Sequence, residues 1–311
     1  MTNSVCVGLG ILCLQLTVAP ASIAQVDRSE LVQLDQGTNL TLALSPDGST
    51  LVIDLLGQLW LMPASGGAAQ PLTPSDEEAR APRFHPSGTQ VVYQGYAGGN
   101  WDIWTVNLAT GERHQLTSTF DDDREPDVHP DGTHIAFSSD RSGTYQIWEL
   151  EIAANLARQV TWEAQPAAYP SYSTDGNKVA YTTGTARGSQ LKVHNRVDGG
   201  TVTVDSAAGW LFAPSWRPGD GVLVTGLQQG LDTQLAMRLL GPDSLRKQLT
   251  QDEDIFPSRV AWLDRDTFVY AADGKIWRRD LDPHARQLVP LFAAVTVTRP
   301  GYARKRRPLD G

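Results

Sequence analysis

Pro130-Asp131-Gly132-Thr133-His134-Ile135-Ala136-Phe137-Ser138-Ser139-Asp140-Arg141-Ser142-Gly143, followed by Ile147-Trp148, is one copy of a pattern that runs through most of the chain. Its tryptophan slot holds Trp60, Trp104, Trp148, Lys192, Ala236 and Trp277, at four spacings of 44 residues and a last one of 41. The turn slot keeps the same beat with Pro46-Asp47-Gly48, Pro86-Ser87-Gly88, Thr174-Asp175-Gly176 and Pro218-Gly219-Asp220. A fixed period of ~40–45 residues is the span of one four-stranded propeller blade copied in tandem. A proline recurs at Pro82, Pro126, Pro170, Pro214 and Pro257, and a Leu-Thr ending at Leu72-Thr73, Leu116-Thr117 and Leu249-Thr250. Val160-Thr161 and Val204-Asp205 stand in for that ending in two copies.

Within a copy, Gln90-Val91-Val92-Tyr93-Gln94 has the apolar run of a buried strand, and Trp101 to Val106 forms the next. Proline removes a ladder donor and glycine supplies positive φ, so both belong at turns and irregular points. Six copies are counted, the sixth beginning at Pro257 with Leu263-Asp264-Arg265-Asp266 in place of the turn signature. The expected fold is all-β, a six-bladed β-propeller over residues 38–298. Residues 25–37, through Leu31-Val32-Gln33-Leu34, are a candidate ring-closing strand; Phe292 to Thr298 is the other candidate, or an exit linker.

The leader is a separate object. Val5 to Val18 is almost wholly apolar and small residues precede Gln25, so residues 1–24 read as a signal peptide of an exported, periplasmic protein. Both cysteines, Cys6 and Cys13, lie inside it, which leaves the mature chain without thiol or disulfide. The chain carries 26 basic and 35 acidic side chains, net −9. Setting aside the five cations and one anion of the basic tail, residues 299–311, leaves 21 basic and 34 acidic, net −13. An acidic body argues against binding the phosphate backbone of a nucleic acid. No apolar run beyond the leader reaches membrane length, and nothing suggests an oligomer.

The turn, the Ile135 to Gly143 stretch and Ile147-Trp148 together resemble the WD40-like repeats of the TolB propeller family, over roughly residues 38 to 290. The resemblance implies a TolB-like fold and interaction work in the cell envelope. Ile53-Asp54-Leu55-Leu56-Gly57 with Pro63-Ala64-Ser65-Gly66-Gly67 further resembles the first blade of propellers that precede a metal-dependent amidohydrolase domain in exported bacterial proteins. On that likeness Gly311 stands where such a domain would begin.

The chain has no Gly-x-Ser-x-Gly elbow, and its six histidines (His85, His114, His129, His134, His194, His284) include no His-x-His or His-Glu-x-x-His pair. No catalytic residue, metal ligand or cofactor site is therefore expected. His85 and His129 share one slot before the turn proline and read as structural. The loops between blades are acidic at matching places: Asp76-Glu77-Glu78, Asp121-Asp122-Asp123 with Glu125, Glu163, and Asp252-Glu253-Asp254, with Asp205 a weaker member. Arg80 and Arg124 are interleaved. Such loops share one face of a propeller, so these residues are expected to form an anionic funnel for a protein or peptide with a basic segment. The plainer reading is a set of solvated loops. Trp210 is a candidate aromatic anchor on that face, or packs between blades. Two functions stay open: a non-catalytic binding scaffold, or the substrate-gating propeller of a hydrolase.

Overall fold

The computed structural model describes residues 28–299, apart from Ala186, Asp220, 242–244 and 283–284. The leader, residues 300–311 and His284 lie outside the described residues. The described residues contain strands and no α-helix, so no helix long and apolar enough to cross a membrane occurs among them. Two units are distinguished, residues 33–294 and residues 1–32 with 295–311.

The larger unit is the propeller. Blade one uses Leu42–Leu44, Thr50–Leu55, Gln58–Pro63 and Gly67–Pro71, and blade two Glu78–Phe84, Gln90–Ala97, Asn100–Asn107 and Arg113–Gln115. Blade three uses Asp123–Val128, His134–Ser139, Gln146–Glu151 and Leu156–Gln159, and blade four Ala167–Tyr172, Lys178–Thr185, Gly188–Asn195 and Thr201–Ala207. Blade five uses Trp210–Trp216, Val222–Gln229, Asp232–Leu239 and Arg246–Gln248, and blade six Ala261–Trp262, Thr267–Ala272, Lys275–Asp280 and Arg286–Val289. Consecutive strands pair antiparallel within each blade, so the four strands of each blade come from its own repeat.

The repeated residues have local reasons. Asp47, Asp131 and Asp175 accept the N–H two residues on, at 3.0, 2.8 and 3.1 Å, which folds the turn before the second strand. In the Leu-Thr ending the threonine hydroxyl accepts a third-strand N–H: Leu59 to Thr73, Ile103 to Thr117, Ile147 to Thr161 and Leu235 to Thr250, all at 2.8–3.0 Å. That bond continues the ladder where the outer strand leaves the sheet.

The inner-strand prolines mark bulges. The register shifts between Arg80 and Arg83, Arg124 and Asp127, Ala168 and Ser171, and Phe212 and Ser215, each interval holding one proline. The residue before that proline has positive φ in all four: Ala81 50°, Glu125 57°, Tyr169 57° and Ala213 48°. Non-glycine residues rarely adopt this conformation, and four at one slot mark a strained ring around the channel.

Faces of adjacent blades bury the apolar side chains. Ala43, Val52, Leu59, Ala79, Val91, Tyr93 and Val106 form one core between blades one and two, and equivalent clusters fill the next four junctions. His85 and His129 clip neighbouring blades: Nε2 lies 3.0 Å from the Gly132 carbonyl in the first case and 3.2 Å from the Gly176 carbonyl in the second. Those glycines, with φ of 76° and 71°, leave room for the imidazole; a Cβ at Gly176 would sit 2.2 Å from it. Blades six and one meet where the Gly37 N–H donates to the Gly274 carbonyl at 2.9 Å. Leu291–Ala293 runs parallel to Gly67–Ala69 as a fifth strand on the outer edge of blade one. In the smaller unit, the hydroxyls of Ser29 and Thr298 lie 3.2 Å apart.

Candidate functional site at the channel mouth

The bulges turn the inner strands so that all six blades contribute to one cavity of 290 Å³ at the between-blade-loop end of the channel. Blades one to three supply a charged half: Asp54, Arg80, Arg83, Gln94, Arg124 and Glu125. Blades four to six supply an aromatic and apolar half with Tyr169, Trp210, Ala213, Phe256 and Pro257, and Arg259 lies among them.

The cavity wall is a relay of bonds between consecutive blades. Asp54 accepts the N–H of Thr41 at 2.7 Å and of Ala81 at 3.2 Å. The Gln94 side-chain carbonyl accepts the Glu125 N–H at 2.7 Å, and Glu125 accepts the Tyr169 N–H and the Ser138 hydroxyl, both at 2.8 Å. Ala81, Glu125 and Tyr169 are thus each held by a side chain of the blade before. Burial pushes Asp54 up to about 6, the bonds from Thr41 and Ala81 pulling the other way. Burial also raises Glu125, and it pushes the Tyr169 phenol well above its ordinary range.

Arg83 and Arg259 form the waist. Arg259 spans the channel, donating to the Pro126 carbonyl at 3.1 Å and to the Pro170 carbonyl, and its Nη1 lies 3.6 Å from Asp127. Arg83 donates to the Pro82 carbonyl at 2.9 Å and stands 3.4 Å from Asp127. Burial, and then the charge of Arg259, lower Arg83 to about 9; burial lowers Arg259 as well. Both arginines also line a second cavity of 420 Å³ at the opposite end, walled by Tyr172, Trp216 and Trp262.

Of the acidic loop residues named from the sequence, only Glu125 lines the mouth cavity, together with the interleaved Arg80 and Arg124. The others turn toward partners. Glu77 accepts the Tyr93 hydroxyl at 2.8 Å and pairs with Arg113; Glu163 accepts Tyr181 at 2.6 Å and Lys192 at 2.7 Å. Glu253 accepts Tyr270 at 2.6 Å and pairs with Arg279 and Arg286. Asp123, fully buried, is held by Arg141 at 2.6 Å, and Asp205 by Arg246 at 2.6 Å. Asp122 takes the Trp101 N–H at 2.9 Å, Arg124 at 2.5 Å and Tyr145 at 3.1 Å. Burial would raise it, but the Trp101 N–H and Arg124 outweigh that and hold it low. Glu78 pairs with Arg80 at 2.5 Å and, with Asp76 and Glu77, lines a neighbouring cavity of 440 Å³. The Asp121 carbonyl accepts Asn100, Asp254 lies 3.4 Å from the Thr233 hydroxyl, and Asp252 is exposed with φ of 56°.

The cavity lining therefore carries four guanidinium groups against two carboxylates, which is not the anionic funnel expected from the loops. Glu77, Glu78, Asp122, Asp123, Glu163, Asp205 and Glu253 are spent on ion pairs because each finds a cation on its own or an adjacent blade. Of the residues that sequence reasoning missed, Asp54, Arg83 and Asp127 lie on strands and Arg259 just before the first strand of blade six; Asp54 and Arg259 are buried, Arg83 and Asp127 half-buried. A signal existed: the residues flanking the inner-strand proline, such as Arg83 after Pro82 and Asp127 after Pro126, share one slot 44 apart and face the channel. Among the described residues, no group of three or more His, Cys, Asp or Glu could hold a metal ion.

With this geometry in hand, comparison with known proteins bears on the fold. A model of the TolB beta propeller domain matches residues 57–169. A TolB candidate from Agrobacterium tumefaciens superposes with a TM-score of 0.67 at 16% identity, covering 79% of this chain and 98% of that one. TolB from Acinetobacter baumannii gives 0.66 at 14% identity, covering 82% and 65%, and the tricorn protease 0.64 at 15%, covering 82% and 26%. No curated protein matches the chain.

Proposed function

We propose that this TolB-like six-bladed propeller is an exported, periplasmic binding scaffold that captures a protein or peptide at the channel mouth. One observation carries the reading: all six blades contribute to one cavity that pairs arginines with half-buried aromatics, among the residue types that dominate binding hot spots. The strained ring of Ala81, Glu125, Tyr169 and Ala213 supports it, since strain persists where structure around it over-determines a site. The likeness to TolB proteins supports an envelope setting, as does the signal-peptide reading of residues 1–24. The loop acids, including Glu77, Glu78, Asp121 and Asp252 to Asp254, would then shape the rim and keep other polyanions away.

The second reading, a substrate-gating propeller of a hydrolase, draws on the tricorn protease, of which the chain spans about a quarter. A portal needs an open channel. Here Arg259 bridges the waist between the Pro126 and Pro170 carbonyls, which favours a pocket over a passage.

Site-specific photo-crosslinking in intact cells tests the proposal. A crosslinker at Phe256, in the cavity wall, is expected to yield a discrete adduct with another envelope protein. The same group at Glu112, exposed at the outer end of blade two, is expected to yield none. Equal adducts at both positions, or none at Phe256, would overturn the mouth as the binding surface.

A further inference from the structure

The occupant of the mouth cavity can be specified further from its own chemistry. Three buried guanidinium nitrogens among the described residues lack a hydrogen-bond partner: Nε of Arg83, Arg124 and Arg259. All three arginines line this one cavity. An unsatisfied buried donor costs ~1–3 kcal/mol, so these three guanidinium groups have bonding capacity unspent beside one space, which favours an acceptor that meets their forks from the cavity side. Arg259 is 6% exposed, and Arg83 reaches Asp127 only at the ion-pair distance of 3.4 Å.

The two carboxylates in the wall do not fill that role. Asp54 is committed to Thr41 and Ala81, and Glu125 to Ser138 and Tyr169. Arg80 and Arg124 stand at the rim, their guanidinium carbons 5.8 and 5.7 Å from the Trp101 ring, which keeps both extended beside the opening. Each has one carboxylate partner, Glu78 and Asp122 respectively, leaving further donors of a five-donor fork. A carboxylate is the acceptor that such forks match bidentately.

Opposite the arginines the wall is apolar. Trp210 packs against Tyr169 and Phe212 at ring separations of 6.0 and 5.2 Å, and Phe256 and Pro257 complete it. A ligand that satisfies both halves within 290 Å³ carries a carboxylate and an apolar group on adjacent atoms. We propose that the cavity receives the C-terminal residue of a peptide, its α-carboxylate against Arg124 and Arg80 and its apolar side chain against Trp210 and Phe256. The proposal rests on the binding-scaffold reading and reverses the charge expected of the partner's docking end.

Titration of the full chain, followed by calorimetry and by tryptophan fluorescence, tests it with N-acetylated pentapeptides ending in Phe, Leu or Val. Peptides with a free C-terminal acid are expected to bind at least tenfold more tightly than their C-terminal amides. An amidated peptide with a penultimate Glu should behave like the plain amide, which separates a C-terminus from an acidic side chain. Arg124→Gln and Arg80→Gln should each weaken the acid about tenfold and leave the amide unchanged, while Arg124→Lys should recover part of the loss. Equal binding of acid and amide, recovery of binding by the internal Glu, or no binding by any peptide would each overturn the inference. A Phe256 adduct obtained in the crosslinking experiment alongside any of these results would leave the scaffold reading standing.

Discussion

Asp54 illustrates how a single residue couples the channel to pH. It is buried and titrates near 6 in the folded protein, against an ordinary value of 3.8, because burial disfavours its charge more than its bonds favour it. For an acid whose folded value is raised, the native state holds the proton more tightly. The stability it contributes is full below about pH 4 and is lost as pH rises through about 6. The wild type is therefore expected to gain stability relative to Asp54→Asn as pH falls from 7.5 to 4, by up to about 3 kcal/mol. Urea denaturation of both proteins across that range measures the difference, in which the general effects of acid cancel. A flat difference would mean that Asp54 stays ionised in the fold. The same residue shows why sequence reading found the turns and missed the site. Asp47 and Asp131 announce themselves by a Pro-Asp-Gly context that determines their conformation locally. Asp54 sits in an apolar strand, and its role comes from Ala81, 27 residues away on the next blade.

At the scale of the blade, the loop acids form a pattern that counting charges does not reveal. Second-strand Tyr93, Tyr181 and Tyr270 face the tryptophan-slot residues Trp104, Lys192 and Trp277, and each donates to a glutamate at the entry of its own blade. Blades one, three and five carry Ile53, Phe137 and Thr225 at that slot and have no such brace. Even blades thus bind their entry loops through Tyr–Glu–cation contacts, while blade three uses Asp123 with Arg141. The strands, turns and their order were legible because period and turn chemistry are local. The fate of Glu77, Glu163 and Glu253 was not, because it depends on a cation that register brings alongside. Lys192 is the clearest case, a lysine in a tryptophan slot that makes sense only beside Glu163. Glu163→Gln leaves that amine, four-fifths buried, without a charge partner and is expected to cost about 2–4 kcal/mol. Adding Lys192→Met should recover at least half, since an apolar chain of similar length needs no partner. Chemical denaturation of the single and double variants measures both, and a double variant no more stable than the single one would assign the loss to Tyr181 instead.

For the whole molecule the question is what keeps six separate sheets in one ring. Arg259 acts as a spoke, joining blade six to the inner strands of blades three and four through Pro126 and Pro170. At the perimeter, Leu291–Ala293 ties the end of blade six to blade one by parallel pairing, and the Gly67 N–H donates to the Pro290 carbonyl at 2.8 Å. Sequence alone left two candidates for closure because strand addition to an outer edge carries no turn signal; the register places Leu291–Ala293, where the second candidate begins, beside Gly67–Ala69. Leu291 is 3% exposed and Ala293 wholly buried, so this edge is part of the packed interior. Leu291→Ala should therefore cost about 2–4 kcal/mol, the range for a leucine truncated in a core. If closure at this edge secures the ring, the loss falls on the entire propeller. Tryptophan fluorescence, which draws on Trp60, Trp148 and Trp216 in three different blades, and far-UV circular dichroism should then shift together to lower denaturant. A variant whose main transition stays at the wild-type midpoint, with only a small early change, would show that this strand is an appendage and that inner-strand packing closes the ring unaided.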